Sequence, residues 1–537
     1  MKQALIPALG AAVVFVVFAL PNHPDAMGWG AFMRWPLELP VLLLLMVLLG
    51  RRAGVTHLVA SVLVILTVLK LADYVMFMAY NRPFNPIVDG SLINAGFEFS
   101  RDSLGVTWVG VALVFAALLL ALWFLVLLRS LVSWAELSPS GKTTQAAGVA
   151  ALGCFAWAVA DAGHHMNFWK LQASPPGTTW TTRLAIDRVD QMQRTSSDLV
   201  QFREAALSDA YANRRGLLNQ LEGRDVILIW IESYGRASFD NPLYAPTHLA
   251  TLRTAQNDLS DLGFAMRSGW LTSPTAGGQS WLAHGALGSG LWTTDNGRYQ
   301  AMIDSGKKWL FHIAQDTGYR TTAIMPAITR DWPESDAMGF DLIFDKSALG
   351  YEGDAFRWVT MPDQFTLAVY PNLLPPDPRP DFIQIALISS HAPWTPIPDL
   401  IRWEDVGNGT VFNEMAARGP EPEVLWKDKD AVRDAYRRSV DYVLNAVFSH
   451  VAQLADDAPL IVVAGDHQAA GFVSGSGNMD VAVHMIGPQH VLDRIEHWGW
   501  TDGLVPGADV PVRRMDSFRD EFVAAFSGAT STAMVAK

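Results

Sequence analysis

The chain is nearly free of cysteine. Among 537 residues only Cys154 is present, and it sits inside an apolar run. Disulfides within one chain and cysteine-based zinc sites are therefore excluded. Positive charge is also scarce: 40 Lys and Arg stand against 53 Asp and Glu, for a formal net charge of −13. No basic tract occurs, which excludes nucleic acid as the main partner. No internal repeat is evident. What is abundant is hydrophobic residues, 50% of the chain, and they are unevenly spread. Long apolar runs crowd the first third, and beyond about residue 165 the composition is that of a soluble domain.

Five apolar stretches read as membrane spans of roughly 17–25 residues: Ala4–Leu20, Trp35–Leu49, Val55–Tyr80, Leu104–Trp134 and Ala146–Ala160. Pro21-Asn-His-Pro is a poor cleavage site, so the first is read as an uncleaved anchor. Lys2, Arg51, Arg52, Arg129 and Lys142 fall on one side of the spans. Arg34, Arg82 and Arg101 fall on the other, diluted by Asp25, Asp89, Glu98 and Asp102. The bias places the N-terminus in the cytoplasm, and five crossings then carry the C-terminal part outside. Lys70 and Asp73 share a face of the third stretch at i, i+3. They read as a lipid head-group site or as a mutually neutralising pair. The loop Asn81-Arg-Pro-Phe-Asn-Pro-Ile-Val-Asp89 is Pro-rich and external on this topology.

These features divide the chain into a five-span transmembrane domain (1–163), amphipathic linker helices (164–223) and an outer domain (224–537). In the linker, Thr182–Arg194 and Val200–Leu221 mix charged and apolar residues at helical spacing. In the outer domain, strand-like runs alternate with helix-like ones. The strands are expected at Val226–Ile231, Arg320–Ile324, Phe382–Ile388, Leu460–Val463 and Val481–Ile486. The helices are expected at Gln279–Leu287, Lys307–Thr317 and Ala431–Ala455. Such alternation predicts an α/β fold with a largely parallel sheet flanked by helices.

Three of these strands end in chemistry-bearing residues. Asp225-Val-Ile-Leu-Ile-Trp-Ile ends at Glu232. Phe382-Ile-Gln-Ile-Ala-Leu-Ile-Ser-Ser ends at His391, followed by Ala-Pro-Trp394. Pro459-Leu-Ile-Val-Val-Ala-Gly465 ends at Asp466-His467. Ligands of open α/β sheets bind just past the carboxyl ends of strands. An oxygen and imidazole set there suits Mn²⁺, Mg²⁺ or Zn²⁺. A fourth stretch runs Thr272-Ser-Pro-Thr-Ala-Gly-Gly-Gln-Ser280-Trp-Leu-Ala-His284. A Gly-Gly turn leads into a helix with Ser280 near its start. A hydroxyl there acts as a nucleophile on an anionic centre or as an ordinary helix cap.

Ile231-Glu232-Ser233, the Ser280 segment, His391-Ala-Pro-Trp394 and Gly465-Asp466-His467 together resemble the alkaline phosphatase/sulfatase superfamily. More narrowly, the chain resembles its lipoteichoic-acid-synthase-like branch, which includes phosphoglycerol transferases. Weaker matches are Met338-Gly339-Phe340-Asp341 and Trp358 with Pro362-Asp363. The resemblance implies Glu232, Ser280, Asp466 and His467 as metal ligands, with Ser280 also the nucleophile. It implies His391 as a catalytic binder of phosphoryl oxygens or leaving group. Arg330, His284 and Trp394 become candidate substrate-binding residues. Thr272 and Thr275 are rival nucleophiles, because Thr272-Ser-Pro-Thr imitates the sulfatase Cys-x-Pro-Ser pattern. Ala286, Leu287, Ser289 and Gly290 supply the tail that favours Ser280. The branch usually carries threonine where this chain has serine.

The implied function is transfer of phosphoglycerol, or a similar phospho-head group, from a phospholipid donor to a glycan or lipid acceptor through a phospho-Ser intermediate. The implied cofactor is one divalent metal ion, manganese first and magnesium or zinc as alternatives. The implied location is a bacterial inner membrane with the catalytic domain periplasmic or extracellular. The rival readings are a phosphoethanolamine transferase, a sulfatase- or phosphatase-type hydrolase, and a non-catalytic scaffold.

Overall fold

A computed structural model describes residues 2–80, 82–90, 92–93, 96–97, 101, 106–137, 141–171 and 177–528. Asn81, Glu98 and Asp102, used above for the loop and the charge bias, lie outside the described residues. The chain forms two compact units, Met1–Asp198 and Leu199–Lys537.

The first unit is built on apolar helices α1 (Lys2–Ala19), α2 (Glu38–Leu49), α3 (Ala53–Tyr80), α4 (Val106–Ala135) and α5 (Lys142–His165). Val14, Val17, Leu43, Met46, Leu63, Leu127 and Leu131 form its buried core. Among the described residues, three helices are long and apolar enough to cross a membrane: Ala53–Met78, Val106–Ala135 and Lys142–His165. The other two, Leu5–Ala19 and Glu38–Leu49, are shorter apolar helices. At 1.5 Å per residue, a helix of α2's length reaches only about 18 Å, against a hydrocarbon core of about 30 Å. The expected fourth span is α4, whose Leu113, Val114, Phe115 and Leu118 are each more than half exposed. None of the described residues covers that surface, as suits a lipid-facing helix.

Lys70 and Asp73 do not neutralise one another. The Lys70 ammonium is fully buried and donates to the Val17 carbonyl (2.9 Å), the Phe18 carbonyl (3.0 Å) and Thr181 Oγ1 (2.8 Å). Asp73 instead accepts at both oxygens from one nitrogen of Arg188, Nη2 (2.6 and 2.7 Å), and from Asn22 Nδ2 at 2.9 Å. The ions thus tie α3 to the end of α1 and to α6 (Trp180–Leu207). The i, i+3 pattern placed them on one face correctly, but their partners come from distant sequence.

The division between the units falls inside α6, one helix where the sequence led us to expect several. Beyond it the chain to Gly223 is non-helical apart from a short 3₁₀ turn at Asn219–Leu221.

The second unit is a mixed, mostly parallel nine-stranded sheet. Its strands are β1 (Val226–Ile231), β2 (Ala265–Thr272), β3 (Arg320–Met325), β4 (Leu342–Asp345), β5 (Asp381–Ala386), β6 (Leu460–Gly465), β7 (Asp480–Gly487), β8 (Thr501–Asp502) and β9 (Val512–Arg514). The order is β4-β3-β5-β1-β6-β7-β2-β8, with β9 paired to β2. The run from β4 to β6 is parallel, and β7 is antiparallel to both β6 and β2. Two reversals leave β2 pointing the same way as β6, so their carboxyl ends share one edge.

Every residue of β1 is buried, because helices cover both faces. Ile227, Ile229 and Ile231 meet the layer containing Val440, Val443 and Val447 of α11 (Lys429–Ala452). Val226, Leu228 and Trp230 meet the opposite layer with Phe311 and Phe522. The alternation follows from the two-residue period of a strand. Between these elements lie α7 (Ala245–Asp261), α8 (Ser280–Ser289), α9 (Leu310–Asp316) and α10 (Asp363–Leu373).

Candidate active site

The central pair is a product of strand register. β1 and β6 are parallel neighbours, and Ile231 is opposite Gly465. The next residue on each strand, Glu232 and Asp466, therefore emerges side by side at the carboxyl edge, followed by His467. Gly465 is required by space. A Cβ there would lie 1.9 Å from the Tyr234 carbonyl oxygen. Close approach of the two strand exits is what brings the carboxylates together. β5, the other neighbour of β1, sends its exit segment through Ile388 to His391 at the same edge. Ser280 arrives from β2 through a turn in which Gly277, Gly278 and Gln279 all have positive φ (76°, 143° and 65°). Ser233 (58°) and Trp394 (60°) share that conformation. Each such non-glycine residue costs roughly 1–2 kcal/mol, and strain of this kind gathers at functional sites.

Glu232, Asp466 and His467 are buried, and their ligand atoms lie within 4.8 Å of one another. Ser280 Oγ donates to Glu232 Oε2 at 2.9 Å and stands 3.3 Å from His467 Nε2. His467 Nε2 is 3.2 Å from Glu232 Oε1. The helix-cap reading of Ser280 gives way here. Gln279 occupies the cap position of α8, and the serine hydroxyl turns to the acidic cluster instead. The rival hydroxyls are engaged elsewhere: Thr272 Oγ1 with Asp480 Oδ1 (2.9 Å) and Thr275 Oγ1 with the Gly278 carbonyl (2.8 Å).

The donor set fits a divalent cation. His467 Nδ1 faces the Gln468 carbonyl at 3.0 Å, which assigns the proton to Nδ1 and leaves Nε2 as a ligand. Asp466 Oδ1 accepts the backbone N–H groups of Ser233 (2.8 Å) and His467 (2.6 Å). Its Oδ2 is left toward His467 Nε2, at 3.8 Å. Without a cation the cluster is electrostatically frustrated. Burial and the Glu232 charge push Asp466 up to about 8. Burial opposes charge on His467, but Asp466 and Glu232 outweigh it and lift the imidazole to about 9. Burial likewise opposes charge on Glu232, yet His467 beside it holds that carboxyl well below the usual range. A divalent ion would replace the shared protons.

The remaining expected residues occupy distinct places. His391 Nδ1 contacts the Ala392 carbonyl, and its ring stacks on the exposed Trp358 (centroids 6.2 Å, 25°). His284 packs tilted against Trp230 (4.4 Å, 30°), and burial pushes it down to about 3, so it is neutral at neutral pH. Its Nε2 is buried with no hydrogen-bond partner among the described residues. Arg330 is exposed in the loop that leaves the carboxyl end of β3, on the edge shared with β1 and β5. Trp394 is only 4% exposed. Its indole donates to the Ser390 carbonyl (2.7 Å) and stacks on Trp426 (5.7 Å, 1°), which makes it a prop behind the His391 turn.

Several supports were invisible in the sequence. Ser390 Oγ donates to the Glu232 carbonyl (2.7 Å), Ser273 Oγ to the Asp466 carbonyl (2.6 Å) and Tyr436 to the Ser233 carbonyl (2.9 Å). Asp363 accepts the N–H groups of Ile388 (2.8 Å) and Ser389 (3.1 Å), just before His391. Of these only Asp363, beside Pro362, had a sequence signal.

The Sulfatase family model matches residues 225–484, a range that holds all of these site residues. This segment is a sulfatase-family domain. Among solved structures, the chain is similar to the lipoteichoic acid synthase LtaP of Listeria monocytogenes: 15% identity, TM-score 0.38, covering 60% of this chain and 76% of that one. It is also similar to the phosphoglycerol transferase GacH of Streptococcus pyogenes, at 13% identity and TM-score 0.36, with 62% and 81% covered. A third is the periplasmic domain of the phosphoethanolamine transferase EptC of Campylobacter jejuni: 12% identity, TM-score 0.37, 57% and 90% covered. No curated protein matches significantly.

Proposed function

We propose that this protein is a membrane-anchored, metal-dependent transferase that moves phosphoglycerol, or a similar phospho-head group, from a phospholipid to a glycan or lipid hydroxyl. One observation carries the reading: the Ser280 hydroxyl is within hydrogen-bond reach of both Glu232 and His467, in a buried cluster with a donor set for one divalent ion. Glu232, Asp466, His467 and Ser280 would hold the ion, with Mn²⁺ favoured by the hard oxygen-rich set and Mg²⁺ or Zn²⁺ compatible. A bound divalent ion supplies positive charge that favours the serine alkoxide and offsets charge on the phosphoryl oxygens.

Ser280 Oγ, its proton already released to solvent, attacks phosphorus as the alkoxide, and the bond from phosphorus to the diacylglycerol oxygen breaks. His391 protonates the departing oxygen. In the second half, an acceptor hydroxyl passes its proton to His391, attacks the same phosphorus and expels Ser280. Asp363 and Trp394 keep the His391 turn in place through Ile388, Ser389 and Ser390. Arg330 and His284 are the further candidates for contact with the head group. The lack of any cysteine after residue 154 favours this reading over phosphoethanolamine transfer, whose enzymes usually carry disulfides in this domain. Serine at 280 without a following Pro and Arg also argues against a sulfatase.

The test is a turnover assay with the full chain, phosphatidylglycerol and Mn²⁺. Diacylglycerol should appear with phosphoglycerol on an added acceptor. Release of inorganic sulfate or phosphate from ester substrates, without lipid turnover, would support a hydrolase instead.

A further inference from the structure

The unit of residues 1–198 holds a cavity of about 340 Å³, within the range of small-molecule pockets. Its walls include Phe18, Ala19, Gly30, Arg34, Pro36 and Trp180. Its level along the bundle is given by His23, whose ring packs on Phe77 near the C-terminal end of α3 (4.3 Å between centroids). The segment around the cavity therefore lies at the end of a helix suited to crossing a membrane, where hydrocarbon gives way to head groups. That segment exposes Trp29 (86%), Met33 (84%) and Trp35 (52%). Tryptophan is enriched at that depth.

Arg34 is the one charged residue among those that line the cavity. Arg34 is exposed and has no ion-pair or hydrogen-bond partner among the described residues. Arg183 is not among the lining residues; it stands over the Trp180 ring (5.5 Å) and donates to Thr178 Oγ1 (2.6 Å), and Trp180 and Thr178 are the residues that line the cavity there. Of the nearby acids, Glu38 accepts the Thr182 N–H through Oε1 (3.0 Å), and neither Glu38 nor Asp25 lines the cavity.

We propose that this cavity binds one anionic glycerophospholipid, with an acyl-chain segment in the apolar slot and the phosphodiester on Arg34. A lipid fits better than a soluble anion because the walls are largely apolar and the flanking surface is aromatic. The inference does not rest on the catalytic reading, since none of the lining residues belongs to the sulfatase domain.

Native mass spectrometry of the full chain in detergent tests it, by titration with phosphatidylglycerol or phosphatidylcholine. Phosphatidylglycerol should bind about fivefold more tightly, the factor one basic residue contributes at an anionic surface. Arg34→Gln should bring that ratio close to one without moving the thermal transition. Gly30→Leu should weaken both lipids, because a Cβ at Gly30 meets nothing within 4 Å and the side chain grows into open space. If Gly30→Leu misfolds, the Arg34→Gln ratio decides alone. Glycerol 3-phosphate, which has the charge without the chains, should not compete. Equal binding of the two lipids to the wild type, an unchanged ratio in Arg34→Gln, or competition by glycerol 3-phosphate would each overturn the proposal.

Discussion

Substituting Gly465 by alanine isolates the contact on which the metal cluster depends. A Cβ at this position lies 1.9 Å from the Tyr234 oxygen, 2.9 Å from its carbonyl carbon and 3.2 Å from Val481 Cβ. Ordinary contact begins near 3.4 Å, so the strand exits must part by about 1.5 Å. The obstruction is backbone, and no rotamer relieves it. Tyr234 directly follows Glu232 and Ser233, and the Ser233 N–H bonds Asp466 Oδ1 at 2.8 Å. Parting the exits therefore pulls Glu232 away from Asp466 and His467. Metal sites tolerate about 0.2 Å. Overpacking of this kind costs about 1–3 kcal/mol of stability. Loss of a supporting contact lowers metal affinity by roughly 10–100-fold. Isothermal titration with Mn²⁺ and Zn²⁺, beside thermal unfolding without metal, reads both effects. Gly477→Ala is the control, since a Cβ there meets nothing within 4 Å. Wild-type affinity and stability in Gly465→Ala would refute the geometry.

Metal uptake near pH 7 should release at least one proton. His467, held at about 9, is an imidazolium below that pH and must lose its proton before Nε2 binds a metal. Asp466, pushed up to about 8, adds a second proton below that pH, so apparent affinity should rise by at least about tenfold per pH unit from pH 6 toward pH 8; a flat profile from about pH 6 to 8 would contradict this. Asp363→Ala leaves two buried N–H groups without an acceptor, at about 1–3 kcal/mol each. Turnover should fall through the loosened His391 turn while metal affinity stays at wild type, as steady-state kinetics beside titration would show. A reporter fused after Phe526 should be active outside the cytoplasm, and activity only within it would reverse the proposed orientation.

The sequence was most legible where strands are buried on both faces. β1 was expected at the residues it occupies, because burial on both sides writes an unbroken apolar run there, and β3, β5, β6 and β7 came within about two residues. Elements whose residues answer to distant partners were hidden. β2 carries Arg267, paired to Asp502 (3.4 Å), and Gly269, where a Cβ would lie 2.5 Å from the Trp500 indole nitrogen. Neither looks strand-like in isolation. The same holds for the site. Glu232, Ser280, His391, Asp466 and His467 stood out because they end strands or begin a helix. Tyr436 lies mid-helix, and Ser390 is one hydroxyl among many, so their bonds to the Glu232–Ser233 backbone needed the fold to appear. Hydropathy located the apolar helices of the first unit but not their lengths, and α2 is too short to span by length alone.

The most direct test of the central claim is the mass of the intact protein after incubation with phosphatidylglycerol and Mn²⁺ without acceptor. The account predicts an added phosphoglycerol that maps by peptide analysis to Ser280 and disappears when an acceptor is supplied. Ser280→Ala should fold and still bind metal through Glu232, Asp466 and His467, yet form no adduct and no product. Ser280→Thr keeps the hydroxyl and should retain activity. An adduct on Thr272 or Thr275, or turnover by Ser280→Ala at the wild-type rate, would contradict the assignment of Ser280 as the nucleophile.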